Sequence, residues 1–185
     1  PATDHPYLKA KGVHAHGARI TKDGQLILSV FIGDQGCSLQ YIDAAGKKMF
    51  HKGGKTSGGS YTIPGDPQTA VIAEGFSTAA SIAEATGFTV YCAFTAGNLE
   101  KVVAAAKPRH THIIIAGDDD KGKEINTGRR AADMAAAVHQ CAVVFPTFSD
   151  ESTKPTDFND MASIDGLDAV KAAFANPQPV ALSKR

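Results

Sequence analysis

The sequence predicts an α/β fold: a parallel sheet of about four strands flanked by helices, preceded by a small mixed, β-rich unit. Three observations lead there. From Thr69 onward, apolar runs of strand length alternate with helix patterns of about ten residues or more. The runs are apolar on both faces, the mark of a sheet covered on both sides. Before Pro64 the apolar runs are instead separated by short glycine-bearing turns, as in an antiparallel meander.

In chain order, residues 26–31 (LILSVF) and 38–42 (SLQYI) read as strands separated by a turn at 33–36 (GDQG). A second turn at Asp43 to Gly46 leads into 47–50 (KKMF), a third strand of the meander. Residues 51–60, with four glycines and two lysines, read as a loop; 61–63 (YTI) closes the unit and 64–67 (PGDP) is a linker. Then come a strand at 70–73 (AVIA), Glu74-Gly75, a helix from Ser77 stopped at Gly87, and a strand at 89–94 (TVYCAF). A helix over 98–107 ends at Pro108. A strand at 112–116 (HIIIA) runs directly into Gly117-Asp118-Asp119-Asp120, followed by an Ala-rich helix over 127–140 and a strand at 142–145 (AVVF). The expected organisation is a small N-terminal subdomain at 1–66, a catalytic core with an acidic segment and C-terminal helix at 67–175, and a loose tail at 176–185.

Composition sets bounds. Of 185 residues 43% are hydrophobic and 21% charged, which suits a soluble domain. No apolar run approaches the ~20 residues of a membrane span. The opening residues lack the basic leader and apolar stretch of a signal peptide, and without an initiator Met the expected chain is processed or a piece of a longer protein. Three widely spaced cysteines make neither a disulfide framework nor a zinc pair, which points to a reducing, cytoplasmic setting. Net charge is zero overall, arguing against a general nucleic-acid coat protein, yet it divides as +3 over 1–66 and −3 over 67–185. That is the sign pattern of a first part touching phosphates and a second holding metal.

Parallel sheets carry their chemistry at the carboxyl ends of the strands, where Glu74 and Asp118 to Asp120 fall. Three adjacent carboxylates raise one another's pKa, and a hard divalent cation relieves the crowding. In an extended segment Asp118 and Asp120 point one way and Asp119 the other, so Asp118 and Asp120 are the expected ligands. Glu74 is placed to act as general base toward a 3′-hydroxyl, or as acid toward a leaving oxygen. The competing reading is a solvated loop of capping aspartates and a helix-terminal Glu74.

Several other features carry less. Gly54-Lys55-Thr56 is no phosphate loop, because Met49 stands where that pattern needs glycine. Lys47, Lys48, Lys52 and Lys55 face template or nucleotide phosphates or else sit in a solvated loop; Arg129 and Arg130 bind nucleotide phosphates or lie on a helix surface. His14-Ala15-His16 puts two imidazoles on one face of an extended segment, but two ligands lack a third. Ser77 is read as a helix cap.

The stretch 72–75 (IAEG) with the helix start 77–81 (STAAS), then 114–122 (IIAGDDDKG), resembles the toprim domain, shared by bacterial, phage and plasmid primases, topoisomerases, OLD-type nucleases and some repair proteins. Further stretches resemble the primases of phages and conjugative plasmids: 5–8 (HPYL) with Lys11-Gly12, 38–42 with 46–50, 93–99 (AFTAGNL) and 156–160 (TDFND). The resemblance implies a DNA primase catalytic domain that joins ribonucleotides from nucleoside triphosphates on single-stranded DNA, using two Mg²⁺ or Mn²⁺ ions. It implies Glu74 as the acid/base group, with Asp118 and Asp120, joined by Glu74, as the catalytic metal site. Asp157 and Asp160 would contribute to a second metal or shape the site, and Lys47, Lys48, Lys52, Lys55, Lys121 and Arg129 would meet nucleic acid or nucleotide. The zinc-binding module and helicase of whole primases are missing and would lie elsewhere in a longer protein. Two alternatives stay open: a toprim-type nuclease or topoisomerase-like cleaver, which as a topoisomerase would need one of Tyr7, Tyr41, Tyr61 or Tyr91 as nucleophile, and a non-catalytic nucleic-acid-binding module.

Overall fold

The computed structural model describes residues 4–122 and 124–177. The chain opens with helix α1 (Pro6–Lys11) and strands β1 (Arg19–Ile20), β2 (Leu26–Ile32), β3 (Gln35–Ile42) and β4 (Lys48–Phe50). It continues through β5 (Tyr61–Ile63), β6 (Asp66–Ala73), α2 (Phe76–Thr86), β7 (Phe88–Cys92), α3 (Leu99–Ala106) and β8 (His112–Ala116). Helix α4 (Thr127–His139), β9 (Ala142–Val144) and α5 (Phe158–Ala173) complete it. Strands β1 to β4 form an antiparallel meander in sequence order. The second sheet runs β5-β7-β6-β8-β9 and is parallel except for β5, which pairs antiparallel with β7.

The four parallel strands and strands β2 to β4 of the meander are those the sequence predicts, and the short β1 adds a fourth strand to that sheet. The fifth edge strand is not: residues 61–63 were expected to close the N-terminal unit, and they extend the larger sheet instead. The reason is burial. Tyr61 and Ile63 both turn into the core beneath α2, and the Tyr61 ring packs edge-on against Phe76 at 5.7 Å. Nor is 64–67 a linker throughout, because β6 already begins at Asp66 and the ladder resumes at Ala70 after an irregularity. Helix α1 is a further addition. His5 caps it, its Nδ1 accepting from the Tyr7 N–H at 3.2 Å. Part of the expected tail, 178–185, lies outside the described residues.

Alternation along the parallel strands fills both faces. In β6, Val71 and Ala73 face one hydrophobic cluster and Ala70 and Ile72 the other; in β8, Ile114 and Ala116 divide from Ile113 and Ile115 in the same way. Helices α3 and α4 cover the second face. Helix α2 packs against α5 on the first, and the meander contributes Leu26, Leu28, Val30 and Ile42 to that same cluster. The N-terminal unit and the sheet therefore share one core. Asn159 of α5 joins three pieces, its amide donating to the Lys11 carbonyl at 2.8 Å and to Ser81 Oγ at 3.0 Å. Ser77 is not the cap expected: it is buried within α2, and the capping position is Gly75, which has no side chain to offer.

Residues 51–60 are a pinned loop. The Asn98 side chain accepts from the Gly58 N–H at 2.7 Å and donates to the carbonyls of Gly59 (2.8 Å) and Ala93 (2.9 Å). One buried amide thus ties the glycine-rich loop to the end of β7. Asn98→Ala leaves these groups without partners and is expected to cost about 2–3 kcal/mol. Urea denaturation will measure that loss, and hydrogen exchange of amides 51–60 should accelerate more than that of the sheet.

Candidate metal centre at the sheet edge

Strand register brings the acidic residues together. Ala73 of β6 pairs with Ala116 of β8 and with Cys92 of β7, so Glu74 and the Gly117-Asp118 step leave adjacent strands at the same edge. Gly117 is required by packing: a β-carbon there would stand 2.3 Å from the Phe145 ring and 2.8 Å from Ala132 Cβ. Gly128, near the start of α4, similarly lets that helix approach Asp118, whose carbonyl oxygen would be 2.9 Å from an added β-carbon.

The three aspartates divide as strand alternation requires. Asp119 turns inward and is 1% exposed. Its carboxylate accepts from Arg129 Nε at 2.9 Å and Nη2 at 2.8 Å, and from Asn126 Nδ2 at 2.7 Å. The Arg129 hydrogen bonds hold the Asp119 carboxyl below its usual range and raise the guanidinium in turn. The guanidinium also lies 3.7 Å above the centre of the Phe145 ring. Asn126 accepts from the Asp120 N–H (3.2 Å) and caps α4 through the Arg129 N–H (3.1 Å). Neither its role nor the inward use of Arg129 was foreseen; an Asn immediately before Thr127-Gly128-Arg129 was the available capping signal.

Asp118 is the electrostatically extreme group. Its Oδ1 is buried and has no hydrogen-bond partner. Burial, then the charges of Asp157, Glu74 and Asp120, push its pKa up to about 8, while Lys48 pulls the other way. Lys48 Nζ is 3.7 Å from where a β-carbon on Gly75 would stand, so this lysine of β4 reaches the acidic edge. A buried acceptor without a donor, among other carboxylates, suits a hard divalent cation. Glu74, Asp118 and Asp120 do not, however, bring three oxygens within 4.8 Å of one another. Opposite ligands of Mg²⁺ stand about 4.2 Å apart, so one ion touches all three only after side-chain rotation.

The segment after β9 closes the edge from the far side. The Thr156 carbonyl accepts from the Asp119 N–H at 2.7 Å. Asp157 caps α5, accepting from Asn159 N–H (2.8 Å) and Asp160 N–H (2.9 Å), and Asp160 reaches back to Thr156 N–H at 2.9 Å. Asp157 is thus the cap of α5, and Asp160 within the helix holds the residue that precedes the cap. Asp157 nevertheless faces Asp118 electrostatically, and burial followed by the Asp160 charge raises its pKa. Lys121 pairs with Glu151 at 2.8 Å on the surface. These residues line an open cavity of about 400 Å³ with Asp120, Lys154 and Pro155. Lys47, Lys52 and Lys55 are exposed. The Cys92 thiol donates to the Glu74 carbonyl at 3.3 Å, and burial pushes it up to about 12, an inert thiol. The three cysteines are free.

The family profile described as the toprim domain matches residues 69–168, more than half of the chain. The chain belongs to the toprim family. Toprim domains are generally metal-dependent, commonly on Mg²⁺. Two relatives from Escherichia coli, both DNA primase TraC, are 38% and 35% identical over 167 and 158 residues. The matches cover 82% and 78% of this toprim chain but 12% and 15% of the relatives' own length. Among solved structures, a chain from the bacteriophage T7 assembly of lagging-strand DNA polymerase with primase domains of two gp4 subunits has a TM-score of 0.66 at 18% identity. That match covers 94% of this chain and 92% of that one. The DnaG primase catalytic domain bound to ssDNA gives 0.59 at 11% identity, covering 95% and 61%. Both share the fold. Among the described residues no helix is long and apolar enough to cross a membrane.

Two outcomes follow from this electrostatics. Arg129→Ala strands the buried Asp119 charge and should cost about 2–4 kcal/mol, the lower part of the usual range because the arginine is 41% exposed; Arg129→Lys, without the planar fork, restores little of it. The raised Asp118 pKa carries the opposite sign. Without metal the folded state holds a proton there that the unfolded chain releases above about pH 4, so stability falls as pH rises toward about 8. Asp118→Asn should therefore raise Tm by at least about 2 °C at pH 8 in chelator and by less at pH 5. Calorimetry at the two pH values checks it, and an equal or negative shift at pH 8 contradicts it.

Proposed function

We propose that this chain is the catalytic domain of a DNA primase, joining ribonucleotides into short RNA on a single-stranded DNA template. The observation that carries the reading is the buried, unpartnered Oδ1 of Asp118 beside Glu74, Asp120 and Asp157 at the carboxyl edge of a parallel sheet. Membership of the toprim family and the identity to the TraC primases support the same activity.

In this reading Asp118 and Asp120 hold divalent ions, two in number, and Glu74 takes the proton from the attacking 3′-hydroxyl. Bound Mg²⁺ or Mn²⁺ supplies polarisation of the phosphoryl group and a more acidic hydroxyl. Lys48 offsets part of the negative charge at the edge and meets the triphosphate. Lys47, Lys52 and Lys55 extend that basic surface along β4 and the pinned loop toward the template. Asp157 and Asp160 keep the start of α5 against the acidic strand end, and Asp157 adds to the field that draws the ions. Arg129 acts by holding Asp119 inward, leaving Asp118 and Asp120 for metal. A zinc-binding or helicase part elsewhere in a longer protein would select the template.

Cleavage through a tyrosine finds less support. Tyr61 donates to the His16 carbonyl at 2.6 Å, and burial pushes its hydroxyl up to about 12. Tyr41 and Tyr91 pair with His51 and His110, and Tyr7 is buried.

Template-directed labelling of short RNA from nucleoside triphosphates tests the reading. Asp118→Ala with Asp120→Ala is expected to reduce synthesis at least about 100-fold. Arg109→Ala, altering a residue that reaches Asp34 at 3.8 Å from the opposite end of β8, should leave it within about twofold. Metal-dependent nicking without synthesis, or DNA binding without metal uptake at the acidic edge, overturns it.

A further inference from the structure

A second cluster of metal-binding chemistry lies away from the acidic edge. His14, His16 and Glu84 each offer one ligand atom, and the three atoms lie within 4.8 Å of one another. Glu84 sits near the end of α2, nearly seventy positions along the chain from the two histidines. Its Oε1 is 2.7 Å from His16 Nε2, 3.2 Å from His14 Nδ1, and 2.8 Å from the His14 backbone N–H, which donates to it. The two rings are edge-on to each other with centres 6.2 Å apart. Tetrahedral zinc with bonds of about 2.0–2.1 Å requires its ligands about 3.3 Å apart, close to the separations found.

The backbone is shaped to make this meeting. His16 has φ +45°, a left-handed conformation costly for a residue with a side chain, and Gly17 follows at φ +85°. The Tyr61 hydroxyl fixes the His16 carbonyl at 2.6 Å. His16 and Glu84 are largely enclosed, with side chains 19% and 12% exposed, whereas His14 is 85% exposed. Hydrogen bonding to the histidines holds Glu84 on the ionised side despite the opposing effect of burial. An exposed histidine turned onto an ionised, enclosed carboxylate leaves one side of the cluster open to solvent.

We propose that His14 Nδ1, His16 Nε2 and Glu84 Oε1 form a site for a borderline transition-metal ion, Zn²⁺ in the first instance, with water completing its coordination. Two imidazoles and one carboxylate suit Zn²⁺ far better than Mg²⁺, whereas an all-oxygen donor set such as the acidic edge suits Mg²⁺. The ion replaces the hydrogen bond between His16 and Glu84. It ties residues 14–16 to the far end of the helix that begins just after Glu74. The site is therefore structural: its occupancy steadies α2 and takes no part in nucleotidyl transfer.

Calorimetric titration of the 185-residue chain with Zn²⁺, in excess Mg²⁺ to fill the acidic edge, tests this. One equivalent should bind and raise Tm, since an ion that binds the folded state alone stabilises it. His16→Ala and Glu84→Gln should each weaken binding at least about tenfold, as loss of a ligand costs no less than loss of an outer partner. His14→Ala alters an exposed side chain without threatening the fold, and it should show the same loss with unchanged circular dichroism. Absence of Zn²⁺ uptake at micromolar concentrations overturns the proposal, as does affinity within about twofold of the parent for His14→Ala.

Discussion

The acidic edge takes its form from the way Asp119 is satisfied. Three successive carboxylates at a strand end cannot all stay ionised side by side without compensation, and here the middle one is removed from the contest. It turns inward to the fork of Arg129 and the amide of Asn126, and Arg129 stacks on Phe145. Asp118 and Asp120 are left facing the edge with Glu74. Gly117 and Gly128 have no room for a β-carbon because the strand end and the helix start press together around this lock.

The remaining charge is concentrated by what surrounds it. Asp118 is enclosed and without a hydrogen-bond donor at Oδ1, and the cap of α5 brings Asp157 within its electrostatic reach. An arrangement this costly when metal-free is the usual signature of a functional site, where stability is surrendered for chemistry. Lys48 belongs to the meander yet reaches the acidic edge, so the N-terminal unit brings a positive charge to bear on Asp118. The shared hydrophobic cluster beneath α2 and α5 holds it there.

Much of the fold was legible in the chain. Apolar runs at 70–73 and 112–116 separated by helical spacing give the parallel strands, and period-two alternation gives the opposite fates of Asp118 and Asp119. Local patterns failed where a side chain's partner is remote. Residues 61–63 look like the end of a meander because nothing nearby shows that Tyr61 and Ile63 are covered by α2. The glycine-rich loop reads as equally solvated or phosphate-facing because the amide that pins it lies some forty residues away at Asn98. Arg129 reads as a nucleotide-phosphate ligand or a helix-surface cation because its buried partner, Asp119, lies on another segment that only the docking of α4 brings near.

By itself, then, the sequence determined the alternation of strand and helix, the carboxyl-edge placement of Glu74 and the aspartates, and the family. The alternation and the placement follow from covalent periodicity and short-range sterics, and the family from the resemblance carried by residues 72–75 and 114–122. Tertiary structure alone decided that Arg129 holds Asp119, that Asp157 caps α5 beside the acidic strand end, and that Glu84 meets His14 and His16. Each of these joins groups on different elements, and only the packing of helices on the sheet sets the distances at which charges attract, repel or share an ion.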